Sequence, residues 1–385
     1  MLGQSFLQKF RAVLFNNNVR PGQDFQSGKL VLQALEAASP FQWALSSQDL
    51  FSNSYFAARQ NPFENLCLPF IFAAGNFVTG IEADLVPNLG KPGTDSTVRI
   101  CGTSLDARKC VVNFLGGRTE PTWVQETKFE RIPFCVFNGF THCTIVDPTQ
   151  SEFTNPTLGP ARLLTLALGV DTQADYAEAV AVFDQTSSAN YAAMPPPINV
   201  PYQQFFFKVI DDTGLPIDDY YLDFHVLNPN GSANLKLTQA FDNFLQADFY
   251  THSVDHSCRV MMINCASLAR YAKQIAEAKA QLAFSITALS PISEVSYEDG
   301  WCVVYDGQAP PNPDFPSFLF PNTTTLVEVI VVRKESNQLL TLLDYNLRPT
   351  GSKMALLSPA SPPMTGRALL IQSALAKASP PSTNN

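Results

Sequence analysis

A chain of 385 residues, 45% hydrophobic and 15% charged, carries enough apolar material for two domains with separate cores. Its formal net charge of -9, with no run of lysine or arginine, argues against a nucleic-acid partner or an anionic membrane surface. Phenylalanine and proline each occur 29 times, which favours strands and loops over long helices.

Along the chain, residues 5–15 have helical period, with Phe6, Phe10, Val13 and Leu14 on one face. "NNNVRPGQDFQSG" ends that helix, because Asn, Pro and Gly are turn formers. "KLVLQALEAASPFQWALSSQDLF" reads as helix interrupted at Pro40. "LCLPFIFAAGN" at 66–76 is a continuous apolar run that suits a strand covered on both faces. "KCVVNFL" and "FCVFNG" read as two more such strands, and residues 160–184 as one or two amphipathic helices. Alternation of this kind marks an α/β layer structure.

Three consecutive prolines in "SSANYAAMPPPINVPYQ" cannot continue a helix or a central strand, which places a boundary near 195. Beyond it, "QFFFKVIDD", "DYYLDFHVL", "RVMMINC", "QLAFSITAL", "WCVVYD" and "LVEVIVVRK" are aromatic or β-branched runs between turn residues. They predict an all-β sandwich into which "SLARYAKQIAEAKA" inserts one helix. The expected limits are 1–190 for the α/β part, 191–202 for the linker, 203–348 for the sandwich and 349–385 for a partly disordered Ser/Pro-rich tail.

The eight cysteines contain no C-x-x-C pair and read as buried free thiols, and with them a cytosolic location is expected. The first residues lack a basic segment ahead of an apolar core and a small-residue cleavage site, so no signal peptide is expected. Nor does any stretch approach the roughly 18 to 20 apolar residues of a membrane span.

Chemistry concentrates in two loops. "PGTDSTVR" follows the first apolar strand and carries Asp95; "VFNGFTHCTIVD" follows another and carries His142, one of only four histidines. In open α/β sheets, reactive groups stand on loops beyond the carboxyl ends of strands. A carboxylate there can orient an imidazole, which then serves as general base. Asp84 is an alternative acid, and Asp106 reads as a turn residue.

These two loops resemble the acid and histidine loops of lipase- and carboxylesterase-like α/β-hydrolases, in the same chain order. "EAASPFQWALSSQDL" resembles a helical element of bacterial lipase- and phospholipase-like members, and residues 203–345 resemble a β-sandwich appended to such enzymes. The resemblance implies a partial, mainly parallel α/β-hydrolase-like sheet with flanking helices, followed by a β-sandwich. It implies Asp95 as acid, His142 as base and an ester or lipid substrate cleaved through a serine acyl-enzyme, without a cofactor. The chain departs from the family in having no G-x-S-x-G. The nearest match is "LGQSFL", where Gly3 and Ser5 fit and Leu7 replaces the last glycine. Only four residues precede Ser5, too few for the strand that a nucleophile elbow needs, so a nucleophile upstream of Met1 is the other reading. A non-catalytic relative that binds a protein partner through its sandwich is the alternative function.

His252 and His256, near Asp248 and Asp255, are not spaced for a metal unless they share a helix, and no metal is expected. Asn230 and Asn322 fit the glycosylation pattern but read as turn residues.

Overall fold

The computed structural model describes residues 34, 36–51, 68–76, 92–95, 98–124, 131–142, 144–196, 198–245, 249–289, 297–298, 300–307 and 319–334. The chain divides into two compact units, 1–334 and 335–385, and every described residue lies in the first. The expected helix over 5–15, Ser5, Asp84 and the expected tail fall outside the described residues.

Helix α1, Pro40–Phe51, starts at the proline that was expected to interrupt it. Pro has a φ already suited to the first helical position and loses no bond there, and the Ser39 hydroxyl accepts the Phe41 N–H. Strands β1 (Ile71–Ala74) and β5 (Phe134–Phe137) pair in parallel. Helices α2 (Pro160–Leu168) and α3 (Gln173–Ala193) follow β5 in the chain. One face of the pair packs Ala74, Cys135 and Phe137 against Leu163 of α2 and Phe183 of α3. The other packs Ala73, Phe134 and Val136 against Ile100 and Met194. Both faces are covered, as their unbroken apolar sequences required.

"KCVVNFL" forms β2, Ala107–Phe114, but β2 does not join β1 and β5. Its burial alternates: Cys110, Val112 and Phe114 face the core, while Lys109 on the opposite face pairs with Glu328 at 2.8 Å. A strand with that alternation belongs to a sheet with one wetter face. The remaining strands are β3 (Gly117–Thr119), β4 (Thr122–Trp123), β6 (Tyr202–Asp211), β7 (Asp219–Leu227), β8 (Phe249–Thr251), β9 (Cys258–Asn264), β10 (Gln281–Leu289), β11 (Gly300–Asp306) and β12 (Thr324–Val331). They form a six-stranded sheet ordered β4-β2-β12-β6-β9-β8 and a four-stranded sheet ordered β3-β11-β10-β7.

The two sheets share one apolar cluster, together with α4 (Leu235–Leu245) and α5 (Cys265–Glu277). Phe284 of β10 reaches Phe114 of β2 and Phe207 of β6, at centroid distances of 5.7 and 6.2 Å. The strands expected after the linker are present, yet they do not form a sheet system of their own. In the six-stranded sheet β12 pairs in parallel with β6 on one side and with β2 on the other, and β3 pairs in parallel with β11. Strands from both sides of residue 195 therefore lie in the same sheets.

The linker expected from residue 191 is also shorter, because α3 runs to Ala193. Its polar residues are buried anchors. Ser187 accepts the Val136 N–H at 3.1 Å, and Asn190, 1% exposed, accepts the Asn138 N–H at 3.0 Å. These bonds tie α3 to β5 and to the turn that follows it.

All six described cysteines are free and buried. Burial pushes the Cys110, Cys258 and Cys302 thiols up to about 12, which keeps them protonated and inert. No helix among the described residues is long and apolar enough to cross a membrane.

Candidate functional site

The histidine loop begins at the carboxyl end of β5. Residues 138–139 turn there, and Gly139 takes φ +87°, a conformation costly for any side chain but open to glycine. The end of β1 clamps this turn. Gly75 N–H donates to the Phe137 carbonyl and Asn76 N–H to the Phe140 carbonyl, each near 2.9 Å (2.8 and 2.9 Å). The Asn76 side-chain carbonyl accepts the Gly139 N–H at 2.7 Å. The acid loop is a tight reversal. Asp95 N–H donates to the Val98 carbonyl, Ile100 N–H donates to the Gly93 carbonyl, and Thr94 bridges Arg99.

These two loops meet. His142 N–H donates to the Asp95 carbonyl at 2.9 Å, and Nδ1 of His142 lies 2.8 Å from Oδ2 of Asp95. The other carboxylate oxygen, Oδ1, accepts the Val98 N–H at 2.8 Å. Asp95 is 7% exposed, whereas the His142 side chain is 46% exposed. A carboxylate beside Nδ1 favours the tautomer with its proton on that nitrogen. Among the described residues, Nε2 makes no hydrogen bond. A carboxylate so placed can fix the tautomer and orientation of an imidazole.

The other residues singled out in the sequence lie elsewhere. Asp106 is no mere turn residue: its Oδ1 accepts the Ile132 N–H at 2.7 Å, and burial pushes its carboxyl above the ordinary range against the pull of that bond and of Arg131. His252 is buried, and its Nδ1 accepts the N–H groups of Val254 and Asp255, at 3.3 and 2.9 Å. Its Nε2 lies 3.7 Å from a Glu36 carboxylate, so it fastens a turn. His256 is exposed. Among the described residues no group of three or more His, Cys, Asp or Glu could hold a metal ion. The side chains of Asn230 and Asn322 serve turns and contacts: Asn230 accepts from Ser232, and Asn322 accepts the Tyr191 hydroxyl.

One pair escaped the sequence reading. Nε2 of His225 on β7 lies 2.8 Å from the Ser285 hydroxyl on β10, beside a cavity of about 560 Å³. Each residue alone sits in an alternating strand, so only the register brings them together.

No family model matches the chain, and no curated protein sequence matches it. Solved structures do. Phospholipase PlaB from Legionella pneumophila superposes with a TM-score of 0.63 at 18% identity, covering 87% of this chain and 67% of that one. The same phospholipase in complex with thio-NAD gives 0.58 at 17% identity, covering 84% and 67%. The chain therefore shares its mixed α/β architecture with that solved structure.

Proposed function

We propose that the chain belongs to a carboxylic-ester hydrolase of the lipase or phospholipase type, in which Asp95 orients His142 and His142 is the general base. The observation that carries this reading is the double contact between the two loops, side chain to side chain at 2.8 Å and backbone to backbone at 2.9 Å. The fold it shares with a phospholipase supports an ester in a lipid as the substrate. In the reaction, Nε2 of His142 removes the proton of a serine hydroxyl as that oxygen attacks the ester carbonyl. The imidazolium, stabilised by Asp95, then protonates the departing alkoxide; water repeats the sequence to release the acid.

Ser5, the candidate nucleophile in the sequence, lies outside the described residues. Treating the purified chain with a fluorophosphonate probe tests the reading. Labelling that Ser5→Ala abolishes makes Ser5 the nucleophile; labelling that survives Ser5→Ala but needs His142 places the nucleophile elsewhere. A chain that neither labels nor releases fatty acid from a phospholipid favours the second reading, a non-catalytic scaffold that binds a partner through its two-sheet part. The observation on that side is the missing G-x-S-x-G. A cytosolic location, expected from the free thiols, is tested by fractionation of the source cells.

A further inference from the structure

The four-stranded sheet buries one face in the shared core and turns the other outward. Register sets a row across that outward face: Arg118 on β3 stands opposite Trp301 on β11, Trp301 opposite Ser285 on β10, and Ser285 opposite Asp223 on β7. The alternation confirms which face they share, since Phe224, Phe284 and Cys302, their chain neighbours, all lie in the core. His225 lies one step further along β7 and reaches diagonally to Ser285. Trp301, Ser285, His225 and Leu227 line the cavity of about 560 Å³, a size ordinary for small-molecule sites.

Gly117 and Gly231 also line the cavity, and nothing stands within 4 Å of where their Cβ atoms would be. The Arg118 guanidinium lies 5.9 Å from the indole centroid and 3.6 Å from a Glu120 carboxylate, so its charge is matched beside the ring. A second aromatic, Tyr221, is 45% exposed on the same face, two residues before Asp223 and opposite Thr287. Two strand spacings across and two residues along separate it from Trp301 by about 12 Å.

We propose that this face binds a sugar: a pyranose ring stacked on Trp301, its hydroxyls hydrogen-bonded by the His225–Ser285 pair. The flat apolar C–H face of a pyranose matches an indole, and its rim of hydroxyls needs donors and acceptors together. The row supplies both, since serine donates and accepts and arginine only donates. Other ligands fit less well. An inorganic anion would meet the Asp223 carboxylate, and an acyl chain would strand the polar row. A peptide strand added to this sheet would pair beyond β7 or β3 at its ends, not across Trp301 and Ser285 on the interior strands β11 and β10. Tyr221 gives a second linked ring a platform of its own.

The sugar's source is a free glycan or a glycolipid headgroup, which share this chemistry. The full chain labelled with 5-fluorotryptophan has three tryptophans, of which Trp43 is core and Trp123 lies on β4 of the six-stranded sheet. Titration with glucose, galactose, N-acetylglucosamine and maltose, up to tens of millimolar, is expected to shift only the Trp301 fluorine resonance, and to saturate. Ser285→Val is expected to weaken binding about fivefold, the loss of one hydrogen bond, with the Trp43 resonance unmoved as proof of folding. Sedimentation with phosphatidylcholine vesicles, with and without a glycosyl diacylglycerol, separates the sources. Capture that needs the glycolipid and is lost in Trp301→Ala assigns a headgroup; a saturable shift without such capture assigns a free glycan. No saturable shift with any sugar together with no glycolipid-dependent capture, or equal affinity in Ser285→Val, overturns the proposal. None of these readings involves ester hydrolysis, so they stand or fall apart from the proposed activity.

Discussion

Asp95 and His142, 47 positions apart, are joined twice: Nδ1 to Oδ2 at 2.8 Å, and His142 N–H to the Asp95 carbonyl at 2.9 Å. The second bond explains how the first is held. The main chain docks the histidine loop on the acid loop, so the imidazole needs only its rotamer to find the carboxylate. Meanwhile Oδ1 closes the turn to Val98. One carboxylate oxygen of Asp95 thus closes a turn while the other meets the imidazole, and in the proposed hydrolase that second contact orients the base.

That division separates two substitutions. Asp95→Asn keeps an oxygen for the Val98 N–H and removes the negative charge from His142; Asp95→Ala removes both. The alanine variant is expected to lose about 1–3 kcal/mol of stability, the cost of a buried donor left unsatisfied, and the asparagine variant less, by urea denaturation. In the proposed hydrolase both are expected to lower turnover of a short-chain phospholipid by up to about 10⁴-fold, since an amide no longer fixes the reactive tautomer. Undiminished turnover in Asp95→Asn would remove Asp95 from the site and turn attention to Asp84.

Phe284 is the joint between the sheets. It is 2% exposed and contacts Phe114, Phe207 and Phe224, the last at 6.0 Å. Phe284→Ala removes contacts on both sheets and opens a cavity that neither can close alone. It is expected to cost about 3–5 kcal/mol and to melt both sheets in one transition, followed by tryptophan fluorescence and by circular dichroism. A cost below about 1 kcal/mol would mean that the sheets are held together elsewhere.

Acid should loosen the end of β6. Burial pulls the Asp211 carboxyl upward, but hydrogen bonds from Thr213 and from Arg333, just beyond β12, outweigh it and hold the carboxyl below its ordinary value. A depressed folded value means that ionised Asp211 contributes stability in full above the unfolded value of about 3.9. That contribution is lost as pH falls through the folded value. The gap in urea midpoint between the parent chain and Asp211→Asn is therefore expected to be wide near neutral pH and to narrow in acid below the unfolded value. A gap that stays constant would show that the stabilisation does not depend on charge.

The sequence revealed elements better than it revealed their neighbours. Continuous apolar runs marked β1 and β5, and their loops marked Asp95 and His142, because period and turn residues are local properties. What β2 pairs with is not local. Lys109 and Asn113 alternate with Cys110, Val112 and Phe114, a pattern of a one-sided strand hidden in what looked like an apolar run. The parallel pairing of β2 with β12 joins residues more than two hundred positions apart, and no residue on either strand announces it. The prolines at 195–197 marked the end of α3 but not the partners of Ser187 and Asn190, whose bonds to Val136 and Asn138 are set by the fold. His225 and Ser285 became a pair only through register.

The acid loop also depends on what lies beneath Gly93. This residue has φ +75°, and a Cβ built on it would stand 2.5 Å from Cδ2 of Tyr202. Tyr202 cannot easily yield: it is 8% exposed, packs with Phe206 and Met262, and has the Arg99 guanidinium 5.7 Å from its ring centroid. Gly93→Ala therefore meets two obstacles, a left-handed backbone costing roughly 1–2 kcal/mol for an L-residue and a steric clash. Only the clash depends on Tyr202. In a cycle with Tyr202→Ala, the double variant is expected to be more stable than the sum of the single effects predicts, by about 1 kcal/mol or more. The Gly93→Ala chain should also show a weakened His142–Asp95 contact, seen as a change in the His142 Nδ1 resonance, because the Ile100 bond to the Gly93 carbonyl sets the loop's position. Strict additivity in the cycle would mean that the loop shifts away from Tyr202 at no cost, and would separate the placement of Asp95 from the packing beneath it.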